Sequence, residues 1–99
     1  MFTHLAIHHP HPEHREALRA SMQRVDAAAR GAAGLIRIDD WAEVDGDRLV
    51  GIAIWESREA FEAAAGTIFA AVAGDPFDVW WASPPETIYL ESAQSRSAT

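Results

Sequence analysis

All five histidines of this 99-residue chain lie between positions 4 and 14, in the stretch "FTHLAIHHPHPEHRE". Imidazole titrates near neutral pH, so such a cluster could move protons or ligate a metal. Spacing argues against one shared ion. His4 and His8 are four residues apart, which on a strand is roughly 13 Å. His8 and His9 point to opposite sides of a strand, and Pro10 and Pro12 separate His9, His11 and His14. No His-Glu-x-x-His pattern occurs. Cysteine is absent, which excludes disulfides and thiolate metal sites. The expectation is no metal, with His4 as a general base or acid and His8 as a substrate contact.

A second constellation is Arg37, Asp39 and Trp41, at alternate positions of one extended segment. Together they could hold an anionic or aromatic molecule, Arg37 acting as a charge-assisted donor. Alternatively, Arg37 and Asp39 pair with each other. Tyr89 could donate to a substrate oxygen. Trp80-Trp81 reads as a pair with one ring in the core and one partly exposed; alternatively it could close a pocket mouth or contact a partner, because indole suits a boundary between apolar and wet surroundings.

These residues are positioned by alternation and by breaks in it. Residues 2–8 alternate as a strand, and the two prolines after it end the ladder. Pro12 suits the first turn of a helix, whose stripe is Leu18, Met22, Val25, Ala28, Ala29 and Ala32. Asp26 and Arg30 are placed as a pair on its other side, and Gly34 as its stop. Residues 35–42 and 48–55 form two strands around Asp45-Gly46, read as a type I′ hairpin turn. A two-residue loop sets Glu43 opposite Arg48, Trp41 opposite Val50, Asp39 opposite Ile52 and Arg37 opposite Ile54. Ser57 caps a second helix, with a stripe through Phe61, Ala64, Ala65, Ile68, Phe69 and Val72 up to Gly74. A short helical turn follows Asp75-Pro76, Pro84-Pro85 ends it, and residues 86–92 alternate as the last strand. The order is β-α-β-β-α-β, an α+β ferredoxin-like arrangement with a four-stranded antiparallel sheet.

One sheet face must pack under the helices, and the most apolar set is Leu5, Ile7, Ile36, Ile38, Leu49, Ala53, Trp55, Ile88 and Leu90. The other face is then predicted to carry His4, Ala6, His8, Arg37, Asp39, Trp41, Val50, Ile52, Ile54, Tyr89 and Glu91. That face is too apolar to stay wet and too polar for core. It suits a sheet that meets a second sheet across a partly polar cavity, with Ile52 and Ile54 as further substrate contacts.

Length and composition are consistent with this. Ninety-nine residues fit one domain, here residues 1–92, and the polar end 93–99 of "SAQSRSAT" is expected to be a disordered tail. With 48% hydrophobic residues and four tryptophans, the chain carries more apolar surface than one small core uses, which favours an oligomer. The net charge is −7 and every one of the eight basic residues is arginine, so nothing marks a nucleic-acid partner. The first residues lack a basic stretch and a long apolar run, and no segment suits a membrane span. A cytoplasmic location is the default expectation.

The strand order, the hairpin and "IWESREAF" at 54–61 resemble antibiotic-biosynthesis-monooxygenase-type domains of the dimeric α+β barrel superfamily, over about residues 2–91. In those domains a strand ending in a Trp-Glu-Ser-like sequence, here Trp55-Glu56-Ser57, runs into the second helix. The resemblance implies a homodimer whose sheets face each other. It also implies activities ranging from cofactor-free oxidation of aromatic polyketides or quinols to haem degradation. Haem-degrading members carry an asparagine on an early strand and a histidine on the second helix. This chain has no asparagine, and residues 57–73 hold no histidine. Related barrel proteins, some of them polyketide cyclases, often have a histidine early in the first strand, and His4 is similar. The functional expectation is a cofactor-independent monooxygenase with no bound cofactor, acting on a small aromatic, quinol or polyketide-like molecule. His4, Arg37 and Tyr89 would be catalytic, and His8, Asp39, Trp41, Ile52 and Ile54 would contact substrate. The alternatives are a non-enzymatic dimeric ligand-binding or regulatory module, and a cyclase or lyase using His4 and Tyr89.

Overall fold

A computed structural model of the chain describes residues 1–93. Strand β1 (Phe2–Pro10) leads through a 3-10 turn (Pro12–His14) into helix α1 (Arg15–Ala29). Strands β2 (Leu35–Ala42) and β3 (Leu49–Trp55) form the hairpin. Helix α2 (Arg58–Ala70), a one-turn helix α3 (Phe77–Trp80) and strand β4 (Trp81–Glu91) complete the chain. The antiparallel sheet has the order β2-β3-β1-β4, so β1 is central. This is the β-α-β-β-α-β order expected from the pattern, with α3 added. The expected tail falls at 94–99, outside the described residues.

The hairpin follows the anticipated register. Trp41 pairs with Val50, Asp39 with Ile52 and Arg37 with Ile54. Its turn differs from type I′: Asp45 alone has positive φ, at 57°. Gly46 has another task. A Cβ there would lie 2.1 Å from Glu43 Oε1, so glycine leaves room for the Glu43 carboxylate to fold back. Glu43 accepts from the Arg48 backbone N–H at 3.2 Å and from its Nε at 3.0 Å, clamping the turn.

Helix α1 stops at Ala29, earlier than Gly34, because Gly31 takes a left-handed φ of 84° and turns the chain away. Gly34 serves a close approach instead. It has φ 85°, and a Cβ on it would sit 2.5 Å from that of Ala60 in α2. The Ser57 cap is present, its hydroxyl accepting from the Ala60 N–H at 3.1 Å. Pro84-Pro85 does not precede β4 but lies inside it. Between paired Ile7/Glu86 and His9/Ser83, β1 has one residue, His8, where β4 has two, Pro84 and Pro85. Neither proline can donate to a ladder, so both fit the bulge that interrupts it on this edge strand.

The face assignment of β1 and β4 needs correction. Phe2 pairs with Trp55, His4 with both Ala53 and Tyr89, and His8 with Leu49. Phe2, His4, Ala6, His8 and Tyr89 therefore share the helix-covered face with Ile38, Leu49, Ala53 and Trp55. Leu5, Ile7, Ile88 and Leu90 lie on the opposite, open face with Val50, Ile52 and Ile54. Phe2 is buried at this helix-covered face against Trp55, Phe61, Ile68, Ala29 and Ala53. A second cluster joins Leu18, Met22 and Leu49 to Phe77, Trp80 and Trp81. Each such buried Leu or Phe side chain contributes roughly 1.5–3 kcal/mol. Two clusters form under the helices, rather than one, because a cavity lies between them.

Candidate functional site

A cavity of about 490 Å³, partly open to solvent, lies between the sheet and the helices. Its floor is made of small residues, Ala6, Gly51 and Ala53, which leave the sheet surface low beneath α1 and α2. Met22 and Val25 of α1 and Ile68 and Phe69 of α2 line the helix side, and Phe77 and Trp81 close one end. This is a mostly apolar space with a few polar groups, the usual composition of a small-molecule site.

Three polar groupings reach it. The first is His4, set among rings: Phe61 at 5.1 Å, Tyr89 at 5.4 Å and Phe69 at 5.9 Å between centroids. Burial pushes its imidazole below the ordinary 6.5, so His4 is neutral at pH 7. The second is His8, whose Nδ1 accepts from the Trp81 indole N–H at 3.2 Å. Burial lowers its pKa too, with the Asp40 carboxylate pulling the other way. The third is a carboxyl pair that sequence reasoning missed. Asp26 of α1 faces Asp40 of β2, and both line the cavity. Burial first, then a hydrogen bond to Asp40, raises the Asp26 pKa from 3.8 to about 7. Asp26 is buried, not a surface partner of Arg30, whose backbone N–H bonds the Asp26 carbonyl at 3.1 Å. One signal was available in the sequence. Asp26 directly follows Val25 in the apolar stripe, and Asp40 is the only charge on its side of the hairpin.

The cavity wall also contains Trp55, the residue of the "WES" stretch. It is 1% exposed, and its indole N–H is buried without a protein acceptor. An unpaired buried donor costs about 1–3 kcal/mol, which a ligand oxygen can recover.

The expected site residues are thus divided. His4, His8 and Tyr89 come together at the cavity; Ile52 borders it from a strand position whose side chain lies on the open face. Arg37, Asp39, Trp41 and Ile54 sit on the open face, where Arg37 pairs with Asp39. The remaining histidines scatter: His9 bonds Glu86 at 2.7 Å at the surface, His11 precedes the 3-10 turn and His14 is its last residue. Among the described residues no group of three or more His, Cys, Asp or Glu converges as a metal site.

Residues 1–68 match the family described as antibiotic biosynthesis monooxygenase. The chain belongs to this family. Solved structures agree in fold. Rv0793 from Mycobacterium tuberculosis superposes with a TM-score of 0.82 at 23% identity, covering 96% of this chain and 97% of that one. A variant of SnoaB, a cofactor-independent oxygenase from Streptomyces nogalater, gives 0.77 at 18% identity, covering 96% and 95%. A MhuD variant with two manganese protoporphyrin IX molecules bound per active site gives 0.74 at 20% identity, covering 96% and 97%. Curated protein sequences give no match. Among the described residues of this family member, no helix is long and apolar enough to cross a membrane.

Proposed function

We propose that this family member is a cofactor-independent monooxygenase of a small, flat hydroxyaromatic or quinol, working as a homodimer. The observation that carries the reading is the apolar cavity of about 490 Å³ with a neutral imidazole, His4, in an aromatic setting. The flat floor of Ala6, Gly51 and Ala53 accepts a ring system, and neutral His4 is in the protonation state a base requires. His4 takes a proton from the substrate, and the Tyr89 hydroxyl and the Trp55 N–H donate to the oxygen that gains charge. The carbanion combines with dioxygen. In a substrate that presents its keto tautomer, as an anthrone does, the ring methylene becomes a carbonyl, one oxygen atom is retained, and the other leaves as water with both hydrogens. The substrate supplies all the electrons.

The open sheet face supports the dimer. Trp41, Ile88 and Leu90 are each 41–52% exposed there, beside Leu5, Ile7, Val50, Ile52 and Ile54. An apolar face of this kind marks an interaction surface, and a second copy would cover it sheet to sheet. Arg37, Asp39 and Trp41 then belong to the interface and not to proton transfer.

Oxygen uptake with a panel of anthrones and quinols tests the reading. Turnover is expected, with a loss of about 10²–10⁴-fold in His4→Ala. Tight binding without oxygen uptake would instead favour a ligand-binding module on the same cavity. Anaerobic turnover would favour a cyclase or lyase.

A further inference from the structure

His8 looks like a second base in the cavity, but its hydrogen bond gives it another chemistry. The bulge opposite Pro84-Pro85 leaves His8 without a paired residue on β4. There the Trp81 indole reaches its ring, the two planes lying within 19° of parallel. Trp81 is itself held by Phe77 of α3, stacked at 5.2 Å, and the end of α3 is tied to the chain just past β1 by the His11 N–H donating to the Trp80 carbonyl. An indole nitrogen can only donate, so the imidazole atom facing it at 3.2 Å must be an unprotonated nitrogen. That fixes both the ring orientation and the tautomer.

We propose that Trp81 locks His8 as a neutral imidazole with its proton on Nε2, making His8 a fixed hydrogen-bond donor to an acceptor oxygen of the ligand rather than a base. A proton on Nδ1 would set two donors against each other and break the Trp81 bond, so the lone pair a base needs is already occupied. His4 and His8, four residues apart on one strand face, then divide the work. His4 accepts a proton, and His8 holds a carbonyl or phenolate oxygen through an N–H that keeps its proton. Trp81 is a positioning residue acting through His8. The ligand part rests on the cavity reading above; the tautomer part does not.

Long-range 1H–15N correlation spectra of the 15N-labelled full chain decide the tautomer. One His8 form is expected, with a pyrrole-type Nε2 and a pyridine-type Nδ1 shifted by its donor. A protonated Nδ1, or a Trp81→Phe variant whose His8 resonances are unchanged, overturns the lock. Titration with 1,4-naphthoquinone, and with naphthalene as the same ring system without an acceptor, decides the donor role. The quinone should move the Nε2 resonance and naphthalene should not. His8→Phe should weaken quinone binding about three- to tenfold while sparing naphthalene, as expected for one hydrogen bond. Equal responses to both molecules, or equal losses in the variant, overturn the donor role. If neither molecule binds, the cavity reading and the donor role fail together, while the wild-type spectrum still decides the tautomer.

Discussion

The substitution Asp26→Asn should change how stability depends on pH. In the folded chain Asp26 titrates at about 7 instead of 3.8, because it is buried and donates to Asp40. A raised carboxyl pKa means that the folded state binds the proton more tightly than the unfolded chain does. The stabilisation is therefore fully present below pH 3.8 and is lost as pH rises towards 7. The full span at 1.36 kcal/mol per pH unit is about 4 kcal/mol, of which about 2–3 falls between pH 5 and pH 8. His4 and His8 act in the opposite sense. Their lowered pKa values favour proton uptake by the unfolded chain, so they reduce stability as pH falls below 6.5. The carboxamide of the variant would keep a permanent N–H donor to Asp40 and has nothing to titrate. Urea unfolding at fixed protein concentration should therefore show the variant gaining about 2–3 kcal/mol on wild type between pH 5 and pH 8. With Asp26 removed, the histidines dominate, and the variant's own stability should rise with pH. A wild-type-to-variant difference that is the same at both pH values would refute the buried, proton-sharing pair.

The open face, the glycines and the cap give further tests. Leu90→Arg, on the proposed interface, should shift light-scattering mass from two chains towards one with little change in helical circular dichroism. Gly34→Ala should cost about 2–4 kcal/mol, since strain at φ 85° adds to a 2.5 Å clash with Ala60. Gly31→Ala has the same strain but open space around it and should cost only about 1 kcal/mol in the same melts. Ser57→Ala removes the acceptor for the Ala60 N–H and should cost about 1 kcal/mol, read as a lowered thermal midpoint.

Local features were legible in the sequence, and their coupling was not. The hairpin register, the Ser57 cap and the element order follow from turn chemistry and period, and the structure contains them. The faces of β1 and β4 could not be read that way. Either set of β1 side chains, Leu5/Ile7 or Phe2/Ala6, can face a helix, and choosing the greasier set assumes that the helix face is solid core. Here a cavity occupies that face and tolerates His4 and His8, while Leu5 and Ile7 join an apolar sheet on the outside. The deciding fact was the long-range pairing of Phe2 with Trp55, which no local pattern encodes. Arg37, Asp39 and Trp41 were placed on the right hairpin face but given the wrong company. Helix periodicity sets Asp26 beside Arg30 on the outer side of α1, because periodicity alone cannot tell a surface carboxylate from one held by a partner on another element.

The period-two alternation of β1 and β3 has a consequence for how this protein could be altered. Successive residues belong to different neighbourhoods: His4, Ala6, Gly51 and Ala53 look inward, and Leu5, Ile7, Val50 and Ile52 carry their side chains outward. Two sets of demands are interleaved along one ribbon like alternate teeth of a zip. A change in the size of the inward set reshapes the cavity without touching the outer surface, and the reverse also holds. The cavity and the outer sheet surface can then be altered separately by substitution. A single inserted residue in either strand exchanges the two sets beyond the insertion and damages both at once.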